Sequence, residues 1–240
     1  MATLVQSARN YEAADDTSFA LAFGSNVVAG NLLVAVLGAY DDAATFNTPT
    51  DTIGTTYTQA GTLLRGTVDS PAPMLAVYYG IAPSSGANTV TMTSSVGVQD
   101  KDLRIFELSG VDGTTPLNQT NGGVGRSTTP LSGNITTTLP GFIIKCVQDW
   151  EWPATHTEVA GTPTTGWTEF GDTATGADNA YRNEAGTGTF NGGFGGYTLS
   201  LAWCCRIVAF ADASGGAPDV RARPPVTLRP APFAPGGWRR

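Results

Sequence analysis

Hydrophobic positions fall in short runs separated by Gly, Pro, Asn and Asp, and within the runs they recur every second residue rather than at helical spacing. This pattern predicts strands at residues 3–8, 18–23, 31–40, 55–65, 74–82, 88–93, 103–109, 133–138 and 142–148, with weaker ones at 167–170 and 180–185. Residues 31–40 are apolar on both faces, as a buried central strand requires. Gly61, inside 55–65, predicts a bulge. The clearest alternation is in residues 197–210. Leu199, Leu201, Trp203, Cys205 and Ile207 share one face, and Ser200, Ala202, Cys204 and Arg206 the other. The expectation is a near-central strand with its first face in the core.

So many strands without a long helical pattern predict an all-β fold, a two-sheet antiparallel β-sandwich of jelly-roll type. The inner faces are expected to hold Leu33, Val34, Val36, Leu75, Val77, Ile105, Phe106, Ile143, Leu201 and Ile207. No repeat of solenoid or propeller length interrupts the series, and residues 1–211 read as one domain.

Composition strengthens this reading. The 240 residues include 30 Gly and 34 Thr but only two Lys, and charged side chains make up 14%, against about 25% in an average domain. Long amphipathic helices need more Glu, Lys and Leu than this. The longest apolar run, residues 32–39, is too short to cross a bilayer as a helix, and no membrane association is expected.

Charge divides the chain. Residues 1–215 hold 19 acids against 8 bases, a net −11, while residues 216–240 hold Asp219 against five arginines, a net +4. An acidic body repels phosphate, so nucleic acid is not an expected partner. Residues 212–240 form a second unit, an extended Pro/Arg-rich C-terminal arm with prolines at 218, 224, 225, 230, 232 and 235. Proline lacks a ladder donor and favours extended geometry, so the arm is not a strand of the core. Arg221, Arg223, Val226, Leu228, Arg229, Phe233, Trp238, Arg239 and Arg240 are its candidate docking residues, with the two aromatics as anchors.

Catalytic inventory is thin. The single histidine, His156, has no Gly-x-Ser-x-Gly elbow to serve, and no catalytic residue is assigned. Glu107, Glu151 and Glu158 are the candidates for paired carboxylates, but no spacing joins any two of them. The acidic doublets at 15–16 and 41–42, and Asp100 with Asp102, lack the spacing of an EF-hand loop, and no metal or cofactor is expected. The glycine-rich segment 186–196 misses the dinucleotide pattern and reads as a hairpin or surface loop. Cys146, Cys204 and Cys205 are too few for a disulfide framework, with free thiols and one bridge from Cys146 both open. Trp150, Trp152 and His156 form a candidate glycan-binding loop, because indole rings stack on sugars; the same rings equally suit capping the sandwich or a subunit contact.

Several segments occur together in order: GNLLVAV at 30–36, Tyr57 and Thr58, AVYYGI at 76–81, GANTVT at 86–91, ELSGVD at 107–112 with Thr115, Pro116 and Leu117, then Trp203 and IVAF at 207–210. Over roughly residues 2–210 this series resembles the jelly-roll β-sandwich domains of tailed-phage virion proteins and bacterial surface proteins. The resemblance implies a non-enzymatic virion structural protein on the outer surface of the particle, first a capsid decoration protein and next a minor tail protein. Its partners would be the major capsid protein or neighbouring virion subunits, with self-association into a homo-oligomer. The alternative is a carbohydrate-binding or adhesion module. The cysteine pair and the arm depart from the resemblance.

Overall fold

The computed structural model describes residues 1–149, 157–158, 166–170, 177–195, 197 and 200–213. Its strands are β1 (Thr3–Glu12), β2 (Asp16–Ala22), β3 (Leu32–Tyr40), β4 (Thr50–Asp51), β5 (Thr58–Gln59), β6 (Leu64–Arg65), β7 (Pro73–Ile81) and β8 (Thr89–Ser109). They continue with β9 (Leu117–Ser127), β10 (Asn134–Thr136), β11 (Gly141–Asp149), β12 (Thr157–Glu158), β13 (Thr168–Glu169) and β14 (Ala177–Glu184). The last are β15 (Thr189–Asn191), β16 (Phe194–Gly195) and β17 (Leu201–Ala211). All pairings are antiparallel, and the fold is the all-β two-sheet sandwich that the alternation predicts.

The sheets come from consecutive halves of the chain. The first has the order β1-β8-β3-β7-β5, and the second β13-β14-β11-β17-β9. Between them lie Leu32, Val34 and Val36 of β3, Leu75 and Val77 of β7, and Phe106 and Leu108 of β8. Facing these are Phe142, Ile144 and Cys146 of β11 with Cys204, Val208 and Phe210 of β17.

Strand β8 explains the outer layer of the first sheet. Its second half pairs with β1 and β3, while its first half pairs with β2 and β4. Between the two ladders Asp100 adopts φ 50°, a left-handed conformation uncommon for a residue with a Cβ. The first half then packs Val90 and Met92, with Phe19 of β2, onto Leu33, Ala35, Leu37 and Ile105. Residues 88–93 and 103–109 are therefore one strand and not two.

The second sheet is also covered outside. Phe190 packs on Ile143 and Ile207, and Phe194 on Val147, Trp203 and Cys205. This corrects the facing expected for the last strand. The strongly apolar face, with Leu201, Trp203, Cys205 and Ile207, points outward under that cover, and Cys204, Val208 and Phe210 point between the sheets. Leu33, Ile105, Ile143, Leu201 and Ile207 are buried, but outside the inter-sheet layer. The glycine-rich segment 186–196 supplies the cover through β15 and β16, which pair with β10 and β12 rather than with each other. Leu199 lies outside the described residues. As expected, β17 is near-central, between β11 and β9.

Two further departures have plain causes. Residues 55–65 hold only β5 and β6, because Gly61 at φ +80° breaks the run. A Cβ on Gly61 would lie 2.0 Å from Nη1 of Arg206, so a side chain there requires that guanidinium to shift. Strand β9 gave no alternation because Gly122, Gly123 and Gly125 occupy the positions facing β17. A Cβ on Gly125 would meet the Trp203 ring at 2.8 Å.

A substitution pair separates backbone strain from close approach. Gly54 also sits at φ +80°, with nothing within 4 Å of its Cβ position. Gly54→Ala should cost about 1–2 kcal/mol, the left-handed penalty alone. Gly61→Ala should cost at least about 1 kcal/mol more, because the Arg206 guanidinium must also move. Urea denaturation of both variants, with matched slopes, reads the difference.

Candidate functional site

Charged side chains enter the sandwich from the inner face of β8. Its pleat places Asp102, Arg104, Phe106 and Leu108 on one side, and β1 pairs Arg9 directly opposite Arg104. Two guanidiniums side by side repel. Asp102 resolves the conflict by accepting from both. Arg104 donates through Nε at 2.9 Å and Nη2 at 3.1 Å, and Arg9 through Nη2 at 2.6 Å and Nε at 3.1 Å. Asp102 and Arg104 are each 1% exposed.

Beside this cluster the sheets leave a cleft of about 170 Å³. Among the described residues it is lined by Ser7, Ala8 and Arg9 of β1, Arg104 and Phe106 of β8, Phe170 after β13, and Asp178 and Asn179 of β14. Phe106 and Phe170 lie 4.5 Å apart between ring centroids, and Phe170 also packs on Tyr181. Among the described residues, Nη1 of Arg104 and Oδ1 of Asn179 have no hydrogen-bond partner, and both atoms are buried out of reach of solvent. Buried polar atoms are rarely left so. None of its residues was singled out by the sequence as a site, because charges in strands read as a solvated face. The available signal was Asp102 and Arg104 two residues apart, hence on one face, inside an otherwise apolar strand.

The sequence-level candidates fall elsewhere. Trp150, Trp152, His156 and Glu151 lie outside the described residues, as do the arm residues Arg221, Arg223, Val226, Leu228, Arg229, Phe233, Trp238, Arg239 and Arg240. Glu107 is fully buried, its oxygens held by Gln6 Nε2 at 2.6 Å, Val28 N at 2.8 Å and Asn31 Nδ2 at 2.6 Å. It ties β1 to the turn before β3. The acidic doublets serve turns and one lysine: Asp41 accepts from the backbone of Ala43 and Ala44, Asp42 from Ser70 and Ala72, and Asp16 pairs with buried Lys101 at 2.8 Å. Among the described residues, no group of three His, Cys, Asp or Glu is placed to hold a metal ion.

On the far side of the second sheet, Lys145 donates to the carbonyl of Gly193 and stands over the Trp167 and Phe194 rings. Tyr197 donates to Asp149 at 2.7 Å, and burial with that carboxylate pushes its phenol upward. The three cysteines are free and buried. Burial pushes Cys146 and Cys204 up to about 12, and Cys205 upward as well. Thiols so protonated are poor nucleophiles.

The chain was compared with protein-family models, with curated proteins and with solved structures. None matches.

The thiols give an alkaline signature. In the folded state Cys146 and Cys204 keep their protons up to about pH 12, whereas an exposed thiol releases its own near 9. A raised folded-state value stabilises fully below the unfolded value, and that stabilisation is lost as pH rises through the window between them. Unfolding free energy should fall between pH 9 and 12. Each thiol contributes a slope of up to about 1.4 kcal/mol per pH unit. Urea midpoints at pH 7, 9 and 10 read the trend, and Cys146→Ala should flatten it.

Proposed function

We propose that this chain is a non-enzymatic structural protein of a tailed-phage particle, a capsid decoration protein that docks through its C-terminal arm. The observation that carries the reading is the root of the arm. The last strand ends in backbone ties: Asp212 N donates to Pro140 O at 2.9 Å, and Ala213 N to Gly110 O at 2.8 Å. The Asp212 carboxylate accepts from Ala2 N. The arm thus leaves from one fixed pole of the sandwich, where the start of β1, the β8–β9 link and the β10–β11 link converge. A tether with a rigid root loses less freedom on docking than one hung on a flexible joint.

Charge supports the same reading. Residues 1–215 at −11 and residues 216–240 at +4 suit an outer protein that turns an acidic surface to solvent and reaches a partner with arginines and aromatics. The partner is the major capsid protein or a neighbouring virion subunit, a second copy of this chain included. The location is the outer surface of the virion, and a minor tail protein would use the same arm. A carbohydrate-binding or adhesion module is the second reading, favoured by the polar cleft between the sheets.

Truncation tests the arm. The ties at Asp212 and Ala213 place the useful cut just after Ala213. A chain of residues 1–213 should keep the circular dichroism spectrum and melting temperature of the full chain within about 3 °C. The full chain should co-sediment with particles assembled without it, and the truncated chain should stay in the supernatant. Equal co-sedimentation of both ends the docking reading. Binding that survives about 1 M salt assigns the affinity to Phe233 and Trp238, since charge contacts are screened over about 3 Å there.

A further inference from the structure

Backbone hydrogen bonds decide which strand edges are open. In β17, Asp212 N donates to Pro140 O next to the pair Gly141 and Ala211, so even-numbered residues bond to β11. Odd-numbered residues bond to β9, as Ala211 N does to Pro116 O at 2.8 Å. Opposite them stand Gln119, Asn121, Gly123, Gly125 and Ser127. Thr120, Gly122, Val124 and Arg126 therefore turn their backbone N–H and C=O groups to the far side of β9. Among the described residues, β9 pairs with β17 alone. The Gly122 N–H donates to Asn121 Oδ1 at 2.8 Å.

Edge strands are commonly blunted by bulges or charges. Strand β1, at the edge of the first sheet, has a register shift between Leu4 and Gln6 and carries Arg9 and Glu12. From Gln119 to Gly125, β9 has an unshifted register, three glycines and no charge. Val124 is 37% exposed there, and Val68, next to the Asp69 that pairs with Arg126, is 52% exposed. Apolar surface and open backbone meet along this edge.

The arm carries a matching pattern. From Asp219 to Arg229 the even positions are Val220, Ala222, Pro224, Val226 and Leu228, all apolar. The odd positions are Asp219, Arg221, Arg223, Pro225, Thr227 and Arg229, all polar but one. Period-two alternation marks a strand with one face covered. These eleven residues match the eleven of β9. The arm also leaves beside the start of β9, so an extended chain would run parallel to it. Thr120 stands six residue steps along β9 and two strand spacings across from the level of Ala213, about 22 Å away. The nine residues from Ala213 to Ala222 span up to about 30 Å.

We propose that residues 221–229 add a parallel edge strand to β9 of the same chain, with Ala222 opposite Thr120, Pro224 opposite Gly122, Val226 opposite Val124 and Leu228 opposite Arg126. The ladder donors of the arm are Arg223, Thr227 and Arg229. Pro225 falls at the slot facing Gly122, whose N–H Asn121 already holds. Pro224 falls where its missing N–H would face solvent, the position an edge strand tolerates. Val226 and Leu228 lie on the same side of the sheet as Val124, and the three arginines on the other. A slip of one residue would put the arginines on the apolar side. This goes beyond the docking reading and does not rest on it, since residues 230–240, with Phe233 and Trp238, still reach outward.

Amide hydrogen exchange by NMR on the full chain, without particles, tests the pairing. The bonds gained by nine residues are nearly offset by their ordering, so exchange is a sharper readout than melting temperature. Thr227→Pro removes a central donor, while Thr227→Val keeps it. The Val124 and Arg126 amides should exchange about tenfold or more slowly in the wild type and Thr227→Val than in Thr227→Pro. Adjacent strands bring Cα atoms within disulfide range. Thr120→Cys with Ala222→Cys should therefore form a bridge within one chain on oxidation, seen as a monomer on a non-reducing gel. Thr120→Cys with Arg223→Cys should not.

Equal exchange in Thr227→Pro and the wild type overturns the pairing. A covalent dimer overturns the assignment to the same chain and gives the edge to the arm of a second copy. Equal bridging by Arg223→Cys overturns the register. Particle co-sedimentation is a separate measurement, so failure of the docking reading and failure of the edge pairing are told apart.

Discussion

A single carboxylate governs the space between the two sheets. Asp102 is buried where hydrocarbon would pack more simply, and it holds Arg9 and Arg104, which β-pairing places opposite one another. Removing one member of such a buried set costs about 3–5 kcal/mol, because the remaining charges are left without compensation. The arrangement is weak evidence for stability and better evidence for specificity. It pins the register of β1 on β8, since a slip of one residue would carry Arg9 to the opposite face.

Polar groups recur inside this sandwich. Arg206 lies between the sheets, bound to the carbonyl of Thr62 and to Thr120, and burial shifts its pKa downward from the usual guanidinium value. A Cβ at position 61 would crowd this guanidinium, and glycine there lets the β5–β6 segment pass over it without a shift. On the outer face of the second sheet, Lys145 is buried against Trp167 and Phe194. In each place a small or aromatic neighbour makes room for a charge, and the neighbour comes from a distant part of the chain.

That separation explains what the sequence could and could not reveal. Strands β3, β7, β11 and β17 were legible because their apolar residues are dense and regular, and they form the middle of both sheets. Strand β9 was illegible because its glycines are chosen for the Trp203 ring and for Arg206, partners about 80 residues away. The continuity of β8 was hidden by the polar stretch around Asp100, where the strand changes ladders. The facing of β17 was read backwards, because the alternation shows which face is more apolar and not what covers it. Phe190 and Phe194 provide that cover from a segment whose glycines suggested only a loop. The cleft was legible only as the pair Asp102 and Arg104. Arg9 and Asn179 complete it through register and sheet packing, neither of which a linear pattern contains.

Each sheet is one unbroken stretch of chain, residues 3–109 and then 117–211, and only the segment 110–116 joins them. The sandwich interface is therefore also a boundary between two consecutive halves of the polypeptide. Every strand pairing within a sheet is made inside one half, and the contacts across the layer do not record which molecule supplied the other half. The link itself is fixed to the end of the second half, Asp112 N donating to Ala211 O at 2.9 Å and Ala211 N to Pro116 O at 2.8 Å, so the seven residues that join the halves also close one end of the layer between them.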